Sequence, residues 1–102
     1  MLINSYNSHL YNLNKFDEYN NIYAIKINKN SKIYKIVYGH FYNNYNEFIY
    51  KKVVNNKIIN TEVFRCRKNE LFYNDEYNLI YSKSFNAINN YLKYSLKNKT
   101  KE

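Results

Sequence analysis

The chain has no proline, no tryptophan, one glycine, one cysteine and one methionine. Each scarcity closes off a class of protein. With Gly39 alone there is no glycine-rich phosphate loop, which needs several glycines for its tight turns and close backbone approach. With Cys66 alone there is no internal disulfide, and no CxxC pair or His/Cys cluster has metal-ligand spacing. A lone cysteine on a strand is expected to act as a small buried hydrophobe. No apolar run approaches the roughly 18 residues of a membrane span, so no membrane partner is expected. The opening stretch, MLINSYNSHLYNLNKF, lacks the basic start and continuous apolar segment of a secretory signal. A cytoplasmic location is therefore expected, in the host cell's cytoplasm if the chain is viral.

Catalytic groups are equally scarce. His40 has no evident nucleophile or orienting carboxylate beside it. The adjacent acids Asp17/Glu18 and Asp75/Glu76 would point apart on a strand, which suits neither acid–base nor metal chemistry. The expectation is a protein that is not an enzyme and takes no cofactor or metal.

What is abundant is tyrosine, lysine, isoleucine and asparagine. Aromatic residues make up 20% of the 102 positions, and the net charge is +8 with a pI near 9.5. That charge points to an acidic partner. The same residues have AT-rich codons, so composition by itself can raise the charge. Arg65 and Arg67, in FRCRK, run against that codon bias. Small size and AT-driven composition lead to the expectation of an accessory protein of a phage, virus or other mobile element.

The length fits a single domain. Residues 1–20 read equally as a short helix or an edge strand. From residue 21, four runs rich in Ile, Val, Tyr and Phe predict strands at 21–28, 32–42, 47–54 and 57–67, with a shorter one at 77–82. The intervening KNS, NNYN and NN are turns in which asparagine can take the left-handed conformation without glycine. KNELFYNDE reads as a loop. From Ser84, a plausible N-cap, the period changes, and Phe85, Ile88, Leu92 and Leu96 share one helical face over 84–98, before a frayed 99–102 tail. Short connections make consecutive strands antiparallel neighbours. The predicted fold is α+β: an antiparallel meander of four to five strands with a C-terminal helix on one face. A small SH3-like barrel with a terminal helix is the alternative.

Turn lengths then assign faces. They pair Val54 with Lys57, Lys52 with Ile59, Tyr50 with Thr61, Phe48 with Val63, Tyr42 with Glu47, Phe41 with Phe48, Gly39 with Tyr50 and Ile27 with Ile33. One face collects Ile25, Ile27, Ile33, Val37, Phe41, Phe48, Val54, Ile59 and Val63 as a core under the helix. The opposite face collects Tyr34, Ile36, Tyr38, His40, Tyr42, Lys51, Asn60 and Glu62, a largely phenolic surface with lysines beside it. On that parity Arg65 would enter the core, so a bulge near Val63 or the end of the sheet is required.

The candidate binding residues are Tyr34, Tyr38, His40, Tyr42 and Lys51, with Arg65 and Arg67. Phenols can stack on bases while cations hold phosphates. The expected partner is nucleic acid or a nucleoprotein, with inhibition of a host-defence complex as one biological role. The alternative from the same residues is a protein-docking surface or a homodimer that adds strands at an open sheet edge.

Overall fold

The computed structural model describes residues 20–96, so the expectations for residues 1–19 and 97–102 lie outside the described residues. The strands are β1 (Ile22–Asn28), β2 (Ile33–Tyr42), β3 (Glu47–Val54), β4 (Lys57–Arg67) and β5 (Tyr81–Ser82). A 3-10 turn, Lys68–Glu70, follows β4, and helix α1 (Phe85–Asn90) runs into a π turn at Tyr91–Ser95. The sheet order is β4-β3-β2-β1-β5, and every neighbouring pair is antiparallel. This is an α+β meander with a C-terminal helix. Its two edges are β4 and β5, so the sheet is open and not a closed barrel.

Asparagine makes the turns. Asn55 and Asn56 both have positive φ, 52° and 68°, as a two-residue hairpin of matching twist requires. The second hairpin runs through Asn43, Asn44 and Tyr45, all left-handed, and Asn46 N closes it onto Asn43 O at 3.1 Å. These turns set Val54 opposite Lys57 and Tyr42 opposite Glu47, as the turn lengths predict.

The first hairpin departs from expectation. Asn28 pairs with Ile33, so the connection has four residues, and Ile27 lies opposite Tyr34 instead of Ile33. Asn28 stabilises the longer loop: its Oδ1 accepts from Asn30 N and Ser31 N, and its carbonyl accepts from Lys32 N at 2.7 Å. Lys32 takes a φ of 57° to close it. A one-residue slip turns a whole strand over. Ile25 and Ile27 therefore share a face with Ile36 and Tyr34, while Ile22 and Ala24 line up with Gly39 and Val37.

The β3–β4 ladder breaks between Tyr50 and Lys52. Lys52 pairs with Ile59 but Tyr50 pairs with Phe64 and Phe48 with Cys66, two steps along β3 against five along β4. The predicted pairs Tyr50–Thr61 and Phe48–Val63 are thus replaced. The extra residues turn Phe64 and Cys66 inward and Arg65 outward, which resolves the parity conflict noted in the sequence. A bulge costs a few ladder bonds, and here it keeps a guanidinium out of the core.

Both faces of the sheet carry a core, not one. On the first face Ile22, Ala24, Val37, Phe41, Phe48 and Cys66 bury together with Leu71, Leu79 and Tyr81. On the second, Ile25 buries against Phe72, Ile80, Ile88, Tyr91 and Leu96, with Tyr23, Ile27, Tyr34, Ile36 and Leu92 packed around them. Helix α1 therefore lies on the tyrosine side of the sheet, opposite the side predicted for it. Ile33, Val54 and Val63, expected in the core, are 49%, 48% and 61% exposed. Each large side chain that is buried contributes about 1.5–3 kcal/mol before ordering entropy is set against it.

The segment read as a loop supplies both cores. Leu71 bridges to Lys26, Phe72 N donates to Ile25 O at 2.7 Å, and Tyr73 bridges to Leu79. Alternation then sends Leu71, Leu79 and Tyr81 to one face and Phe72 and Ile80 to the other. Asn74 holds the intervening turn, its Oδ1 accepting from Glu76 N and Asn78 N.

Ser84 caps α1, its hydroxyl oxygen accepting from Ala87 N at 3.3 Å. Ser84→Ala is expected to lower stability by about 1 kcal/mol, read as a lower urea midpoint with unchanged slope. An unchanged midpoint would show that the cap contributes nothing.

Candidate nucleic-acid interface

Among the described residues, α1 covers its side of the sheet toward β1. Toward β4 no described element lies over the same face, and its residues form three cross-strand rows. Tyr42, Glu47 and Arg67 make one row, and His40, Ile49 and Arg65 the next. Tyr38 and Lys51 make the third, where the ladder to β4 breaks. Alternation places all eight on one face.

Arg65 is the best-defined group. Its guanidinium carbon lies 5.7 Å from the Tyr42 ring centroid, and Nη1 lies 3.5 Å from Glu47 Oε1. Its side chain is 62% exposed, so the ion pair orients the guanidinium more than it stabilises the fold. The Tyr42 ring itself is exposed. Arg67 is exposed as well, and its backbone N–H donates to Glu70 Oε2 at 3.1 Å. The result is a planar cation over a phenol with a second arginine two residues away, a pairing that suits bases and phosphates together.

The third row opens into a shallow groove of about 350 Å³ lined by Tyr38, His40, Ile49, Lys51, Asn60 and Val63, among others. Lys51 Nζ donates to Asn60 Oδ1 at 2.9 Å. His40 Nδ1 lies 3.3 Å from Asn21 Oδ1, a contact that fixes the plane of the imidazole. Tyr38 marks the border with the helix. Its ring leans on Tyr23 at 4.6 Å, and Tyr23 meets Phe85 of α1 edge-on at 5.6 Å.

Six of the seven predicted residues thus share one surface: Tyr38, His40, Tyr42, Lys51, Arg65 and Arg67. Tyr34 does not. It meets Phe72 edge-to-face at 5.7 Å and belongs to the core under α1, a consequence of the β1 slip that carried the helix to this side. Glu47, Asn21 and Asn60 orient the cations and the imidazole; the turn lengths set Glu47 opposite Tyr42 and Asn60 on this face, whereas nothing in the sequence singled out Asn21.

The opposite face is closed chemistry. Burial, with a smaller push from Glu70, raises the Cys66 thiol to about 11. Burial raises Tyr73 and Tyr81 to about 12, with Tyr45 adding to the shift at Tyr81. All three folded values lie above the unfolded ones, so the unfolded chain releases these protons first. Stability is expected to be complete below about pH 9 and to fall as pH rises through about 11 to 12. Alkaline titration followed by circular dichroism reads this, and a flat response to pH 12 would contradict it. At pH 8 alkylation of Cys66 is expected to follow unfolding, with less than about a tenth of the rate of a free thiol.

Among the described residues no group of three or more His, Cys, Asp or Glu side chains is placed to hold a metal ion. No helix there is long and apolar enough to cross a membrane. Compared with known proteins, the chain matches no family model, no curated protein and no solved structure.

Proposed function

We propose that this is a non-enzymatic binding protein that engages single-stranded nucleic acid, alone or as the exposed strand of a nucleoprotein, through the open end of its tyrosine-bearing face. One observation carries the reading: Glu47 holds the Arg65 guanidinium beside the exposed Tyr42 ring, with Arg67 in the adjacent row. Tyr42 and Arg65 offer π surfaces for stacking. Arg67 and Lys51 supply charge for phosphates. A base–aromatic stack contributes about 1–3 kcal/mol and tolerates any sequence, so low sequence preference is expected. A mobile-element accessory protein that blocks a host-defence nucleoprotein would use such a surface.

The test is binding of fluorescent single- and double-stranded oligonucleotides across a salt series. The expected result is micromolar binding, tighter for single strands, with affinity falling steeply as salt rises. Absence of binding at about 10 μM protein, or an affinity indifferent to salt, would refute the assignment.

A further inference from the structure

A second feature lies at the far end of the same two strands. Pairing between β2 and β3 stops at Val37 and Lys52, although β2 continues to Ile33 and β3 to Val54. Up to their tips β2 stays paired with β1, ending at Asn28–Ile33, and β3 stays paired with β4, ending at Val54–Lys57. The sheet therefore forks into two hairpins. Between them lies a cleft of about 690 Å³ lined from both strands.

The walls of the fork differ by side. Lys35 and Lys52 alternate with Ile36 and Val53, so the lysines face one way and the apolar groups the other. Lys26 lies directly opposite Lys35 across β1 and β2, a like-charge pair that is destabilising on its own. Glu70 approaches Lys26 at 3.7 Å, and Lys52 sits over the Phe64 ring at 4.8 Å. The three lysines line the cleft, and among the described residues no carboxylate does. On the apolar side, Phe85 and Leu92 of the C-terminal helical segment close the wall.

We propose that this fork receives an extended peptide strand from another protein, with acidic side chains at alternate positions and apolar ones between. Strand edges that turn away from each other present backbone donors and acceptors in a row, and an added strand satisfies them. An alternation of two matches the walls: carboxylates toward Lys26, Lys35 and Lys52, aliphatic groups toward Ile36, Val53 and Leu92. Charge decides between partners. A second copy of this chain brings a net +8 against three lysines, so it fits poorly. A nucleic acid lacks the backbone N–H and C=O ladder that the open edges present.

The probe is an eight-residue peptide alternating glutamate with valine, followed by amide NMR on the full-length protein. Its counterparts are the lysine–valine peptide and a glutamate–valine peptide N-methylated at alternate residues. Binding is expected to move the amides of residues 33–36 and 53–54, and K35Q/K52Q is expected to weaken it about tenfold. N-methylation, which removes ladder donors, is expected to abolish it. No binding at about 1 mM peptide would overturn the proposal. So would equal binding of the lysine–valine peptide, undiminished binding of the N-methylated one, or shifts confined to other strands. Displacement of the peptide by an oligonucleotide would assign the fork to nucleic acid, and a dimer dissolved by K35Q/K52Q would assign it to a second copy; either outcome overturns the proposal. The arginine surface lies at the opposite end of β2 and β3, so its success or failure in oligonucleotide binding is read separately.

Discussion

Gly39→Ala is expected to destabilise the domain by about 2–4 kcal/mol, because the added methyl has no space that a side-chain shift can open. A Cβ at Gly39 would collide with the carbonyl oxygen of Ile49 and lie 2.6 Å from Cα of Tyr50. Both atoms are backbone, in the strand directly paired with it. Relief requires β3 to move away from β2. That would disturb Phe41 and Phe48, which pair across the same strands with their rings 5.1 Å apart, and the Tyr50 ring stacked between Phe48 and Phe64. For a domain of this size the loss corresponds to a melting temperature lower by roughly 10–25 °C. Thermal unfolding followed by circular dichroism measures it. A shift below about 3 °C would mean that β3 can yield, and that the close approach is not a constraint on the fold.

The second large effect is on binding. The double variant R65E/R67E is expected to weaken single-stranded oligonucleotide affinity at least about thirtyfold and to flatten its salt dependence by one to two phosphate contacts. Both side chains are exposed, so the melting temperature should hold within about 2 °C. R65K/R67K separates charge from shape. Lysine keeps the charge but loses the planar stack on Tyr42 and the forked geometry, so an intermediate affinity with an intact salt slope is expected. If R65E/R67E binds as tightly as the native chain, nucleic acid does not contact this end of the sheet. If R65K/R67K matches the native chain, only charge matters and the Tyr42 arrangement is incidental.

The two arginines also show how far local sequence carries. Their isolation within an AT-biased composition marked them, and the need to keep Arg65 outside the core required an irregularity in β4. That irregularity exists where the parity argument put it: the ladder break between Tyr50 and Lys52 leaves the extra β4 residues at 60–63, up to and including Val63. Parity demands a bulge with an odd number of extra residues, and β4 supplies three. Its position depends on which side chains pack best, here Phe64 beside Tyr50 and Cys66 opposite Phe48.

Tyr34 illustrates the opposite case. Its alternation with Ile33 and Lys35 says that it shares a face with Ile36 and Tyr38, and it does. Nothing local says that α1 will settle on that face. The loop of Lys29–Lys32 decides it, through an asparagine side chain and a left-handed lysine that add one residue to the turn and rotate β1. The strand expected at 77–82 is present as the Leu79 bridge and β5, but Leu71–Tyr73, inside the stretch read as a loop, was illegible for a related reason. It makes isolated bridges rather than a long ladder, so its strand character comes from the β1 edge it meets and not from its own pattern.

The sequence by itself determined the strands, the asparagine turns, two of the three hairpin registers where those turns set them, and the helix with its serine cap. These follow from short-range rules: alternation, left-handed tolerance and capping act within a few residues. Tertiary structure alone decided that both faces of the sheet are buried near β1, that the helix covers Tyr34 and leaves Tyr42 and the arginines open, and that the hairpins part beyond Val37 and Lys52. Those outcomes depend on contacts between residues far apart in the chain, where a one-residue difference in a turn reverses which side chains meet.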